Sequence, residues 1–392
     1  KNFIMKKKIV ILGSTGSIGV NTLKVIRNNK RDFEIVLLST NKNVKKIIHQ
    51  AKEFKVKNII INDSIEFKKA QKKYKRLKIK FFNNFDSISK ILGKKKIHYS
   101  MISVSGLDGL KPSIILCKYS NNLAIVNKES IICGWNLINK ELKKNKTKVI
   151  PVDSEHYSLK LLLDNNQDEI EKIYITASGG PFLNSKKKKI SVNDAINHPR
   201  WSMGKKISVD SATMINKVLE LQEARLLFSK YKNKIDIIIH PESLIHAIII
   251  FKNGLSKMLY HHPDMKIPLA NAIFDKKVIL KDILKSKNND YFFNKKFHFL
   301  KTNNKNFPAN KFVNLINEFP SSSIILNAGN EMLVDLFLKK NIQFNSIIKY
   351  LSSLLRDKNY KKYAIKKPKN INEILIIDSW ARERVLKKAN IK

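Results

Sequence analysis

The feature that most constrains this chain is a glycine-spaced turn, Gly13-Ser14-Thr15-Gly16-Ser17-Ile18-Gly19, set directly after the short apolar run Ile9-Val10-Ile11-Leu12. Glycines between a strand and a helix permit a tight reversal and let backbone N–H groups approach a diphosphate at the helix N-terminus. The spacing is GxxGxxG rather than the commoner GxGxxG, and the same string also suits a ligand-free turn. Context favours the nucleotide. Apolar runs at Lys8–Leu12, Glu34–Ser39, Asn58–Ile61, Tyr99–Val104 and Leu123–Val126 alternate with helix-length, charge-bearing intervals such as Asn21–Arg27 and Val44–Phe54. That alternation predicts an α/β fold opening on a Rossmann-like, doubly wound parallel sheet.

A length of 392 residues suggests two or three domains. A second segment starts near Pro151, with strands expected at Lys172–Thr176, Asp236–His240 and Ala247–Phe251 and a helix from about Ser211 to Phe228. The stretch from about Lys276 to Asn310 is rich in Lys and Asn and weakly periodic, and reads as a linker. From Ser322 onward the apolar spacing is helical. The expected division is a first, Rossmann-like domain over 1–150, a second, α+β domain over 151–280, a linker over 281–310 and a C-terminal helical domain over 311–392.

The formal net charge of +44 invites a nucleic-acid reading. The lysines are spread along the whole chain among Asn and Ile, which argues for a solvated basic surface and no specific nucleic acid. Two cysteines, Cys117 and Cys133, can build neither a disulfide framework nor a metal knuckle, and point to a reducing, cytoplasmic setting. Ile9–Leu12 is too short for a signal-peptide core, and no apolar run reaches the roughly 18–20 residues of a membrane span, so no membrane partner is expected.

Three further motifs carry chemistry. After the second strand, Leu38-Ser39-Thr40-Asn41-Lys42-Asn43 lacks the acid that would hold an NAD ribose and offers Lys42 to a 2′-phosphate, which favours NADPH. Lys42 is equally readable as one more surface lysine. In Pro151-Val152-Asp153-Ser154-Glu155-His156, an extended backbone would turn Asp153 and Glu155 the same way, toward one cation; a helix N-cap is the alternative. Helix geometry places Asn216, Lys217 and Glu220 on one face, giving a third carboxylate suited to a hard ion such as Mg2+ or Mn2+, while Ser211, Asn216 and Lys217 are donors of the kind that hold a phosphate monoester; an amphipathic helix whose polar face meets water is the alternative. Thr176-Ala177-Ser178-Gly179-Gly180-Pro181 is a second Gly-rich turn and a natural anion nest, and the loop His198-Pro199-Arg200-Trp201-Ser202-Met203-Gly204 suits a lid.

Together the strings ILGSTGSIG (11–19), NKES (127–130), PVDSEH (151–156), ASGGPF (177–182), HPRWSMGKKISVDSATMINK (198–217), LE (219–220), IHPES (239–243), PDM (263–265) and NAGNE (327–331) resemble the 1-deoxy-D-xylulose-5-phosphate reductoisomerase family of the methylerythritol-phosphate route to isoprenoids. The resemblance implies NADPH contacts at Thr15, Gly16, Ser17, Ile18, Lys42, Asn43, Asn127, Glu129 and Gly204, and a divalent cation (Mg2+, Mn2+ or Co2+) on Asp153, Glu155 and Glu220. It implies substrate contacts from Lys128, Ser154, Glu155, Ser178, His198, Ser211, Asn216, Lys217 and Glu220, with Lys128 and the three carboxylates catalytic. It also implies NADPH binding by the 1–150 domain, catalysis and dimerisation by the 151–280 domain, a phosphorylated sugar as substrate, a homodimer, and rearrangement followed by reduction to 2-C-methyl-D-erythritol 4-phosphate.

Departures from the family pattern are Asn41, Val218, His261-His262 and Phe274-Asp275, none of which removes an expected ligand. Two other readings stand beside this one. They are a metal-independent NADPH dehydrogenase of the semialdehyde or homoserine type, and a basic nucleic-acid-binding protein on a nucleotide fold.

Overall fold

The computed structural model describes residues 6–274, 296–303 and 307–391, apart from 165, 184, 186, 188 and 202. The expected linker falls partly outside them, at 281–295 and 304–306, as does Asp275. Two compact units result, one from 1–131, 135–157 and 264–290, the other from 132–134, 158–263 and 291–392.

The first unit is built on β1 (Lys7–Leu12), β2 (Phe33–Thr40), β3 (Asn58–Ile61), β4 (Lys80–Phe82), β5 (Ile97–Ile102), β6 (Ser120–Ile125) and β7 (Lys148–Pro151). All pair in parallel, in the order β4-β3-β2-β1-β5-β6-β7. Such a sheet is covered on both faces, which is why Ile9, Val10, Ile11 and Leu12 are all fully buried. The crossovers run through α1 (Ser17–Arg27), α2 (Val44–Phe54), α3 (Ser64–Lys73), α4 (Ile88–Leu92), α5 (Leu110–Tyr119) and α6 (Lys128–Asn145), and α7 (Ser154–Leu163) follows β7. Strand order reverses between β1 and β5, the place where open α/β sheets present a ligand crevice. Gly13 sits at that seam with φ +74°, and a Cβ there would lie 2.3 Å from the Ser103 carbonyl oxygen just beyond β5.

The second unit holds a five-stranded sheet of β8 (Ile170–Ala177), β9 (Ile235–Ile239), β10 (Ile245–Phe251), β11 (Ser256–Tyr260) and β12 (Leu300–Lys301), ordered β11-β10-β8-β9-β12. Only β8 and β9 run parallel. Helices α8 (Val192–Ile196), α9 (Lys205–Thr213) and α10 (Ile215–Leu227) flank and carry most of the 198–220 motif. The single helix expected from Ser211 to Phe228 is therefore two, because Met214 adopts a left-handed conformation (φ +64°) between them. The edge strands β4 and β11 and the short β12, inside the expected linker, were not foreseen.

One later helix returns to the first unit: α11 (Lys266–Phe274) adds Leu269, Ala270 and Ile273 to the core around Leu23, Val25 and Ile26, and its Phe274 meets Phe33 edge to face at 5.1 Å. The chain ends in α12 (Phe312–Leu315), α13 (Ser322–Leu338), α14 (Phe344–Leu355), α15 (Tyr360–Ala364) and α16 (Ile371–Lys388). Gly329 lets α14 approach α13, since a Cβ there would lie 2.6 Å from Leu354 Cδ2. The α/β class with a parallel first sheet and a helical C-terminal portion is as the sequence suggests. No helix among the described residues is long and apolar enough to cross a membrane.

Candidate active site

At the C-terminal end of β1, Gly16 is the N-cap of α1 and offers no side-chain cap, which leaves the first-turn N–H groups available to an anion. A Cβ on Gly16 would meet nothing nearer than the Gly13 carbonyl oxygen at 3.4 Å, whereas one on Gly19 would lie 2.4 Å from that same atom. Gly19 thus fixes the turn and Gly16 keeps its ligand side open, the arrangement a dinucleotide diphosphate needs. The Thr15 hydroxyl lies 2.7 Å from that of Thr40, and Ser17 and Ile18 open α1.

Lys42 is exposed and 3.6 Å from Asp63 Oδ2, so the turn after β2, which carries no acid of its own, has a carboxylate from just beyond β3 beside it. Asn43 caps α2 by accepting the Lys46 N–H at 3.2 Å. Sequence reasoning passed over Lys46, whose Nζ donates to the Thr15 carbonyl at 2.9 Å. The i, i+3 step from the Asn43 cap was the available signal. Asn127 caps α6 in position, its Nδ2 donating to Gly106 O (2.8 Å) and Ser130 Oγ (2.5 Å), and Glu129 is buried beside it.

The first unit also holds Lys128, Asp153 and Glu155. Lys128 is buried, with its ammonium 3.6 Å from Asp153 Oδ2. Of the two readings of Asp153 and Glu155, the helix cap and not the extended strand is found: α7 begins at Ser154, and Asp153 Oδ1 accepts the Glu155 N–H at 3.3 Å. The capping geometry wins because the chain leaves β7 at Pro151 and must satisfy the first N–H groups of α7. Ser154 Oγ donates to Glu155 Oε2 at 2.6 Å. His156, fully buried with Nδ1 3.1 Å from Asp153 Oδ1, is a further site residue to which the sequence reading gave no role.

In the second unit, Glu220 Oε1 accepts from Asn216 Nδ2 at 2.6 Å and Oε2 pairs with Lys217 Nζ at 2.5 Å, which places all three on one helical face as expected. Only oxygen donors occur in the expected ligand set of Asp153, Glu155 and Glu220, a chemistry that fits a hard divalent ion. Ser178 Oγ lies 3.0 Å from His198 Nε2. His198 Nδ1 accepts the backbone N–H groups of Arg200 (3.2 Å) and Trp201 (3.0 Å), so the ring proton sits on Nε2, which donates to Ser178. Burial, helped by the charges of Arg200 and Lys217, pushes this imidazole down to about 4. His198 is therefore a neutral donor near Lys217. Gly180, at φ +68°, brings the Ser178 turn onto α9, where a Cβ would be 2.6 Å from the carbonyl oxygen of Ser211. Ser178, His198, Ser211 and Lys217 thus bring neutral donors and a cation to neighbouring segments of this unit, a cradle whose chemistry would fit a phosphate. Gly204 caps α9 with open space around it, and Trp201 rests edge-on against His246, ring centres 6.1 Å apart.

Fold and donor set define a class: an α/β enzyme with a parallel sheet of the dinucleotide-binding kind and, in its second unit, a helical turn lined with anion-compatible donors. Three family models match. They are 1-deoxy-D-xylulose 5-phosphate reductoisomerase over residues 9–134, its C-terminal domain over 149–228, and the DXP reductoisomerase C-terminal domain over 261–384. A curated 1-deoxy-D-xylulose 5-phosphate reductoisomerase from Pelagibacter ubique is 49% identical over 97% of this chain and 98% of its own. One from Wolbachia pipientis is 35% identical over 96% of each. Among solved structures, the reductoisomerase from Zymomonas mobilis in complex with NADPH is similar with a TM-score of 0.86 at 28% identity, over 98% of this chain and 99% of that one. A DOX-P reductoisomerase in complex with NADPH, fosmidomycin and magnesium reaches 0.88 at 28% identity, over 98% of each. The chain belongs to the 1-deoxy-D-xylulose 5-phosphate reductoisomerase family. Neither a dehydrogenase sharing only the first domain nor a nucleic-acid binder accounts for matches that extend to residue 384.

Proposed function

We infer that this chain rearranges and reduces 1-deoxy-D-xylulose 5-phosphate to 2-C-methyl-D-erythritol 4-phosphate with NADPH and one divalent cation. The observation that carries the reading is the 49% identity to a curated reductoisomerase over 97% of the chain. Similar structures hold NADPH and magnesium, and the open side of Gly16 and the all-oxygen carboxylate set fit those two groups.

The cofactor would be held by Thr15, Gly16, Ser17, Ile18, Lys42, Asn43, Asn127, Glu129 and Gly204, and the cation by Asp153, Glu155 and Glu220. When bound, the cation supplies Lewis acidity and NADPH supplies the hydride. The protein's own groups do the rest. Ser178, His198 Nε2–H, Ser211, Asn216 and Lys217 grip the phosphate, so binding energy remote from the reacting carbons orients them. Lys128 Nζ, close to Asp153, donates toward oxygen charge as it develops. Ser154 fixes the Glu155 carboxylate. The Trp201 loop excludes water once substrate is seated.

The chain would work as a cytoplasmic homodimer, in keeping with its family and with two buried cysteines that form no disulfide. The test is loss of NADPH absorbance on adding 1-deoxy-D-xylulose 5-phosphate, with and without chelator. Turnover only in free divalent cation is expected, and turnover in excess chelator would refute it.

A further inference from the structure

Asn330 lies on α13, far along the chain from the phosphate cradle, yet its Nδ2 donates to Oδ1 of Asp210 at 2.7 Å. Both side chains are essentially excluded from water. Asp210 is the residue before Ser211 on α9. Its Oδ2 is 3.1 Å from Lys206 Nζ, and its backbone carbonyl accepts the Thr213 hydroxyl at 3.1 Å, one residue before the Met214 break. The Asp210 carboxylate is thus held from two directions, once by its own helix and once by α13.

This bond is a poor choice if stability alone mattered. The other amide atom of Asn330, Oδ1, is buried with no hydrogen-bond partner, and one turn earlier Asn327 is fully buried with neither amide atom bonded. Orphaned buried polar atoms cost free energy that an apolar residue of the same size would avoid. Glu331 adds to the same polar face, meeting Arg382 and lying 3.9 Å from Lys206. Such a face suits setting the position of α9 better than it suits adhesion.

We propose that Asn330 is a positioning residue for the substrate phosphate: through Asp210 it sets where Ser211 stands on α9 against the Ser178–Gly180 turn. The proposal rests on the phosphate reading of the cradle given above. On α9 the side chain at 210 and that at 211 cannot move separately, and Gly180 already touches the backbone of Ser211. A shift of α9 therefore opens the cradle directly.

The test compares wild type with Asn330→Ala, Asn330→Ser and the exchanged pair Asp210→Asn/Asn330→Asp. Readouts are the KM for 1-deoxy-D-xylulose 5-phosphate, kcat, the inhibition constant of inorganic phosphate and the Kd of NADPH. Asn330→Ala should raise the substrate KM and the phosphate inhibition constant together, about tenfold, with NADPH affinity within twofold and kcat less affected. The exchanged pair restores the hydrogen bond and should recover most of both losses. Asn330→Ser serves if the alanine variant does not fold. Unchanged phosphate inhibition in a folded variant, parallel loss of NADPH affinity, or no recovery in the exchanged pair overturns the proposal. If wild type itself fails to turn over this sugar phosphate, the function is wrong, and inorganic phosphate titrated calorimetrically against wild type and variant still decides the positioning role.

Discussion

Lys46 Nζ donates to the carbonyl of Thr15 at 2.9 Å, fastening the second helix to the turn that follows the first strand. Lys42, four residues earlier, is paired instead with Asp63. The two lysines therefore have separable effects. Lys46→Ala should raise the KM for NADPH and for NADH alike, by about tenfold, because it loosens the turn that both cofactors share. Lys42→Ala should raise only that for NADPH, since only NADPH carries the 2′-phosphate. Steady-state kinetics with each cofactor distinguishes them; equal loss of both in Lys42→Ala would remove that lysine from the 2′-phosphate.

The glycines of the turn divide in the same way. Gly13→Ala forces a side chain into a left-handed backbone and against Ser103, and should cost about 3 kcal/mol of stability. Gly16→Ala has a permitted backbone (φ −75°) and room on the protein side, so the fold should hold while NADPH affinity drops by at least tenfold. Denaturant midpoints and cofactor titration of the two variants make the comparison.

Glu220→Gln keeps the size of the side chain and its bond to Asn216 but removes the charge facing Lys217. Turnover should fall by on the order of 10³ or more, with NADPH binding retained. Wild-type-like activity of this variant in metal-buffered assays would take Glu220 out of the ligand set.

His198 makes a pH prediction. It titrates near 4 when folded, against its ordinary 6.5 in the unfolded chain. Between those values the unfolded chain binds the extra proton, so the site's contribution to stability is complete above about 6.5 and is lost as pH falls toward 4. His198→Asn should flatten the dependence of the urea midpoint on pH across that window. An unchanged slope would mean that His198 is not buried as a neutral donor.

The sheet of the first unit was legible because fully buried parallel strands leave apolar runs too dense for a surface helix, as at Ile9–Leu12. β11 was not, since Ser256, Lys257 and Met258 are exposed at an edge and carry no apolar period. The break at Met214 has no local signature, because methionine has no preference for a left-handed backbone and only packing imposes it. At Asp153 and Glu155 both a strand and a helix cap could be read, and the sequence did not decide between them. Their residue types could be read, but strand and helix start differ by a single residue at Ser154. The partnership of Asp210 with Asn330 spans 120 positions and leaves no trace in either neighbourhood.

The return of α11 has a consequence for biosynthesis. Leu269, Ala270, Ile273 and Phe274 complete an apolar core whose other buried members, from Ile9 to Val152, were made more than a hundred residues earlier. A nascent chain emerging from the ribosome must therefore carry an unsealed greasy surface near Phe33 through the synthesis of four strands that belong elsewhere, and fragments ending before Lys266 are expected to aggregate or recruit chaperones.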